Sequence, residues 1–274
     1  MSISEASNQD TEISLMNKTY TQEYCDSLAL VYGAGMLSQG GEKEIDAMLD
    51  GIDIKGKKIL DFGCGLGGVS LYLAKTYDVQ IVGVDINPDT INTAKNSITR
   101  DISHKLSFVL LENNSLPFVD ASFDIIISKE VILHLTDTRC DNIFQEFNRI
   151  LFQSGSLIIS DWLSPVHGSW SQEIQDLMDT ESLILYARTP ADYFLSLQKA
   201  NFKVVSFQDR SVNYAEYNQE IIARLNSEPV KNEFIKKYGI DILNDHINGY
   251  KKIAIAHKKG AVINAKVVAE KIAT

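Results

Sequence analysis

Two carboxylates and a cluster of glycines are the residues of this chain whose types and spacing could do chemistry. Asp61 ends the apolar run Lys58-Ile59-Leu60 and stands two residues before Gly63, with Gly65, Gly67 and Gly68 close behind. Asp85 ends a second apolar run, Ile81-Val82-Gly83-Val84, 22 residues after Gly63. Glycines at that position leave the backbone bare where a ligand could lie against it. A carboxylate at the end of the next strand stands where a nucleotide-binding sheet meets a ribose. An adenosine-type ligand at the carboxyl ends of parallel strands is the implied occupant.

Asp61 narrows the ligand. A pyrophosphate seated on the glycine turn would be repelled by an acid two residues before the first glycine. The amino group of a zwitterionic amino-acid tail would instead donate to it, which favours S-adenosylmethionine over NAD and disfavours a dehydrogenase. Methyl transfer from such a donor is an in-line displacement in which positioning and desolvation do much of the work. An amine acceptor must first lose a proton, so a base with a pKa near neutral helps. His134 is the histidine placed for that role, just beyond the apolar run at 123–127, whereas His104, His167, His246 and His257 lie in polar or helical stretches.

These residues need a frame that brings strand ends together. The pattern predicts helices over 20–31 and 41–50, then alternating strands and helices: strands 57–61, 80–84, 106–111, 123–127 and 155–160, helices 67–76, 88–99 and 138–151. Asn87-Pro88-Asp89 reads as a helix cap with proline in the first turn. Such alternation implies a parallel sheet covered on both faces. Beyond Asp161 it predicts helices over 168–187 and 190–200, a strand over 202–207, helices over 212–257 broken at Pro229, and a last strand over 261–268. A connection as long as 212–257 suggests a functional lid.

Composition sets limits. The 274 residues, 45% hydrophobic, suffice for one core with an insertion. No stretch approaches the roughly 20 apolar residues of a membrane span. The net charge of −10 argues against nucleic acid and suits a small cationic or zwitterionic partner. Met1–Asn17 is polar and lacks a signal core, so residues 1–17 read as a disordered leader. Three unevenly spaced cysteines and no Cys/His cluster point to a reducing cytoplasm, no disulfide framework and no metal.

Asp-x-Gly-x-Gly-x-Gly at 61–67 resembles the first motif of the class I S-adenosylmethionine-dependent methyltransferases. Glu112-Asn113, Phe123–Ile127 and Ser154–Asp161 follow in that family's order, although its usual Lys-Pro-Gly-Gly turn is Phe152-Gln153-Ser154-Gly155 here. The resemblance implies an α/β, Rossmann-like fold: a mostly parallel seven-stranded sheet with an antiparallel last strand. One domain over 18–274 would carry a helical cap from 18–50, 162–187 and 212–257. It also implies S-adenosyl-L-methionine as cofactor, S-adenosyl-L-homocysteine as product, and contacts from Ser38, Asp61, Gly63, Gly65, Asp85, Ile86, Glu112, Asn113 and Lys129.

A more particular resemblance rests on Asn17–Thr21, Tyr32–Gly41 and Val131–Leu135, which look like the phosphoethanolamine N-methyltransferases and, more loosely, the glycine and sarcosine methyltransferases. It implies N-methylation of a small polar amine such as phosphoethanolamine, with Tyr20 and His134 as latch and proton relay and Glu130 facing the amine. The phosphate side matches less well. Trp162 stands where that family has a tyrosine, and Leu183 and Leu185 where it has Arg-x-Tyr. Tyr186 and Arg188, just beyond, are the substitute candidates, with Lys251 and Lys252 behind them. O- or C-methyl transfer, fatty-acid cyclopropane synthesis and a non-catalytic S-adenosylmethionine-binding protein are the alternatives.

Overall fold

The computed structural model describes residues 19–112 and 115–272. The leader and Asn113 lie outside them. The described strands form one sheet of seven: β1 (Lys58–Phe62), β2 (Gln80–Asp85), β3 (Leu106–Leu110), β4 (Phe123–Lys129), β5 (Leu151–Leu163), β6 (Phe202–Asp209) and β7 (Ile263–Lys271), in the order β3-β2-β1-β4-β5-β7-β6. The first five strands are parallel, and β7 runs antiparallel to both β5 and β6. The chain order reverses beside β1, so the carboxyl ends of β1 and β4 border a crevice where ligands bind in open sheets of this type. The family's expected sheet is thus the observed one.

The central strands are buried on both faces because helices cover both, as their continuous apolar runs require. On one face, α5 (Asp137–Ile150) and α7 (Pro190–Lys199) bring Phe144, Phe147 and Leu197 against Leu60, Ile126 and Leu157. On the other, α2 (Gly41–Leu49), α3 (Gly68–Thr76) and α4 (Pro88–Asn96) bring Ile45, Leu73 and Ile91 against Ile59, Ile81 and Ile125. A third apolar cluster joins α1 (Gln22–Tyr32), α6 (Gln172–Glu181), α8 (Ser211–Asn226), α9 (Glu228–Tyr238) and α10 (Ile240–Lys258) around Leu177, Ile221, Phe234 and Ile253. Of the two N-terminal helices, α1 alone enters that cluster. Ile45, Met48 and Leu49 draw α2 onto the sheet instead.

Other departures have local causes. The expected turn at 152–155 is absorbed into β5 as an irregularity: Phe123 pairs with Leu151, but Ile125 pairs with Ser156. Helix 168–187 shortens to α6, which stops where Ser182 turns left-handed (φ 54°), and residues 183–187 form no regular element. The helical stretch before β7 breaks at Ser227, ahead of Pro229, and again at Gly239 (φ 89°).

Candidate active site

β1 delivers Asp61 to the crevice and the chain turns sharply at Gly63 (φ 75°). A Cβ on Gly63 would lie 2.3 Å from a methyl of Val131. A Cβ on Gly68 would meet the carbonyl oxygen of Gly35 at 2.5 Å, and Gly68 N–H donates to that oxygen at 2.9 Å. These glycines are therefore bare because other segments of the chain lie against them. The α1–α2 connection is one such segment, and it roofs the turn. Met36, Leu37, Ser38 and Gln39 of that roof line a single cavity with Asp61, Gly63, Gly65 and Asp85.

Both acids sit in it under strain. Asp61 is 1% exposed. Burial pushes its carboxyl up to about 6, against the pull of the Ser70 hydroxyl, which donates to Oδ2 at 2.6 Å. Asp85 is also raised by burial, and the backbone N–H groups of Asn87 and Gly65 (2.9 and 2.8 Å) oppose the shift. Asn87 then caps α4 through Asp89 and Thr90, and its amide donates to the carbonyl oxygen of Tyr20 at 3.1 Å. The loop after β2 thus fastens the segment that enters α1.

That segment holds Tyr20 over the cavity. Tyr20 Oη lies 3.2 Å from His134 Nε2. His134 Nδ1 lies 2.9 Å from the carbonyl oxygen of Ile184, which can only accept, so Nδ1 carries the proton. Nε2 is then the acceptor and Tyr20 the donor. Burial lowers the His134 pKa and holds the Tyr20 hydroxyl well above its usual range, so the pair is neutral as it stands.

The short 3-10 turn Ile132–His134 is held from three sides. Asp161 accepts from Leu133 N–H at 3.0 Å and from the Tyr193 hydroxyl at 2.7 Å. Tyr186 N–H donates to the carbonyl oxygen of Leu133 at 2.7 Å. Arg188 donates to the carbonyl oxygens of Ile132 and Leu135 and to Asp137 Oδ1. Arg188 is therefore not a free phosphate clamp. Its fork is spent on buried carbonyls behind the turn, and neither it nor Tyr186 is among the lining residues. The sequence reading missed the positioning role of Asp161, although an acid at a strand end was its visible signal.

Glu130 occupies a left-handed backbone conformation (φ 56°), sparsely populated for a residue with a side chain. Its side chain is 12% exposed and its Oε1 has no hydrogen-bond partner among the described residues. Lys129 Nζ lies 3.6 Å from that oxygen but donates to Ser38 Oγ at 2.7 Å and to the carbonyl oxygen of Gln39, pinning the roof to β4. Ile86 and Trp162 also line the cavity. Glu112 is exposed beyond β3 and is not among the lining residues. Lys252 pairs with Asp176 at 3.3 Å, outside the cavity. The sequence reading passed over Tyr24, Tyr32, Glu181, His246 and Tyr250, which line it from the helical cluster. His246 stands in a helical stretch of the sequence, where no local motif marks it.

Residues 53–187 match the family described as a methyltransferase domain. A phosphoethanolamine N-methyltransferase of Triticum aestivum is 31% identical over 80% of this chain and 42% of its own length. That of Plasmodium falciparum is 28% identical over 77% of this chain and 78% of its own length. The chain thus spans less than half of the wheat relative. The structure of Haemonchus contortus phosphoethanolamine N-methyltransferase 2, solved with phosphomonomethylethanolamine and S-adenosylhomocysteine, superposes with a TM-score of 0.84, at 20% identity, over 94% of this chain and 59% of that one. That likeness bears on the fold, and the motif, the sheet order and the family match agree with it. Over residues 53–187 the chain is thus similar to the methyltransferase-domain family, on the seven-stranded sheet that the resemblance to class I S-adenosylmethionine-dependent methyltransferases implies.

Proposed function

We propose that this chain methylates the nitrogen of a small polar amine, of the class that includes phosphoethanolamine, with S-adenosylmethionine as donor. The observation that carries the reading is the neutral Tyr20–His134 pair closing the same cavity into which Asp61 and Asp85 project. The donor fits the residues present. Asp61 offers a buried carboxylate to the ammonium of the amino-acid tail, and Asp85, oriented by two backbone N–H groups, offers one to the ribose hydroxyls. Ser38, Gly63, Gly65, Ile86 and Lys129 complete the assigned contacts. When bound, the donor supplies an electrophilic methyl group.

The chain's own residues prepare the acceptor. Glu130 lines the cavity, its Oε1 accepts no hydrogen bond among the described residues and lies 3.6 Å from Lys129 Nζ, and it orients the incoming ammonium. The amine must shed one proton before its lone pair can attack. His134 Nε2 can take it, directly or through the Tyr20 hydroxyl, because burial keeps the imidazole unprotonated. Tyr20, held by Asn87, closes over the site and excludes water. Three free, buried cysteines suit the reducing cytoplasm in which we place this reaction.

The test is transfer of an isotopically labelled methyl group to a panel of amines and alcohols. Methylation at nitrogen is expected, and His134→Ala is expected to lower turnover by about 100-fold. Labelled alcohols or carbon-methylated products in place of amines would overturn the assignment.

A further inference from the structure

Trp162 brings an unspent donor to the cavity. It stands near the end of β5, is 6% exposed, and its Nε1 has no hydrogen-bond partner among the described residues. The chain's other tryptophan behaves as a buried indole usually does: Trp170 Nε1 donates to the carbonyl oxygen of Leu185 at 2.8 Å. The register of β4 and β5 places the free N–H relative to Glu130. Glu130 N–H donates to the carbonyl oxygen of Ser160 at 2.7 Å, and Trp162 follows two residues on, its side chain on the same face of β5 as that of Ser160. Tyr214 reaches this face too. Its hydroxyl lies 3.1 Å from Ser160 Oγ, and with Lys129 it opposes the upward push of burial on the Glu130 carboxyl.

A second donor of the same kind comes from α1. Tyr250 Oη donates to Tyr32 Oη at 3.0 Å, and Tyr32 Oη donates to no other atom among the described residues. Burial, and then Tyr250, hold the Tyr32 phenol well above its usual range, so it keeps the proton it has to give. Trp162 and Tyr32 belong to the same apolar cluster, and both line the cavity. Charged groups there are already engaged. Among the described lining residues Lys129 is the single lysine or arginine, and its ammonium is committed to Ser38 and Gln39. Arg188 is spent behind the His134 turn. Glu181 faces the Tyr24 hydroxyl, whose proton burial and that carboxylate together retain. Asp61 and Asp85 are assigned to the methyl donor. An anionic group entering this cavity thus meets N–H and O–H dipoles rather than a free cation.

We propose that the phosphate of a phosphoethanolamine-type acceptor is received by two uncharged donors, Trp162 Nε1 and the Tyr32 hydroxyl, while Glu130 takes its amine. Hydrogen bonds from neutral groups to an anion are among the strong ones, so phosphate oxygens can be held here without a guanidinium fork. Two residues of strand rise about 7 Å, the scale of a two-carbon amine ester between Glu130 and Trp162. Trp162 then determines specificity through its N–H and not through its ring alone. The inference rests on the amine-methylation reading and deepens it by naming what recognises the far end of the acceptor.

Calorimetry on the intact chain saturated with S-adenosylhomocysteine tests it, with phosphoethanolamine and ethanolamine as probes. Phosphoethanolamine is expected to bind at least about tenfold more tightly. Trp162→Phe keeps an aromatic ring and removes the N–H, and Tyr32→Phe removes only the hydroxyl. Each is expected to cut the ratio of the two affinities by about tenfold, a change that a loss of packing alone, weakening both probes alike, would not produce. Equal binding of the two probes by the parent chain, or a ratio unmoved by both variants, would overturn the inference. The labelled-methyl assay separates this failure from that of the function. Methyl transfer to nitrogen with an unmoved ratio sinks the assigned donors only. A ratio that falls in both variants, without transfer to any amine, sinks the reaction only.

Discussion

At the scale of single residues, the cavity holds charge where folding alone would not put it. Ionising Asp61 inside the protein is opposed by burial, which moves its carboxyl from 3.8 to about 6. The folded state binds this proton more tightly than the unfolded chain. The cost of ionisation therefore appears as pH rises through about 4 to 6 and is complete above that window. About two units correspond to roughly 3 kcal/mol at neutral pH. Asp61→Asn, which keeps a partner for Ser70, should accordingly stabilise the chain by about 1–3 kcal/mol at pH 8 and by little near pH 4. The same change should weaken binding of S-adenosylhomocysteine. Denaturant melts at the two pH values check the first part. A variant less stable than the parent at pH 8 would contradict the assigned burden. Glu130 carries a burden of another kind, a left-handed backbone that a glycine would adopt freely. Asp61, Asp85, Tyr20, Glu130 and His134 were legible in the sequence because each stands at a strand end or in a local motif. Glu181 and His246 were not, because the packing of α6 on α10 brings them together across the chain and no local pattern marks it.

At the scale of elements, the turn that carries His134 depends on the segment that follows α6. Ile184 fixes the histidine tautomer, Tyr186 bonds the turn's backbone, and Arg188 bonds two of its carbonyl oxygens. The sequence predicts a helix there. Ser182 and the run Leu183-Ile184-Leu185, ahead of the Thr189–Pro190 capping box, give a strap without regular structure instead. This is why Arg188 serves as a brace. The guanidinium is 3% exposed while its partner Asp137 is 77% exposed, so the carbonyl bonds matter more than the ion pair. Arg188→Met removes the donor to the Leu135 carbonyl oxygen, at about 1–3 kcal/mol for a buried group left unsatisfied, whereas the Ile132 carbonyl oxygen keeps the Leu135 N–H at 3.0 Å. We expect a loss of about 1–3 kcal/mol in stability with reduced turnover and nearly unchanged affinity for S-adenosylhomocysteine. Thermal melts and binding isotherms measured together check this. Loss of turnover without loss of stability would instead argue that Arg188 touches the acceptor.

At the scale of the whole molecule, the strand ends supply one half of the cavity and the helical cluster supplies the other. The strand and helix alternation was readable because parallel central strands are continuous apolar runs, and the antiparallel last strand followed from the family resemblance. The packing of α1, α6, α8, α9 and α10 into one cluster was readable only as a lid of unknown shape, because helical periodicity says which face is apolar and not which partner covers it. The Tyr20 segment joins the two halves through Asn87 and His134, so filling the sheet side should steady the helical side. The central claim is that Asp61 and Asp85 grip opposite ends of one methyl donor. Isothermal titration of S-adenosylhomocysteine into the purified, ligand-stripped chain tests it most directly. The expected result is one site per chain, at least about tenfold weaker in Asp85→Ala and nearly unchanged in His134→Ala. No heat of binding, or equal losses in the two variants, would contradict it.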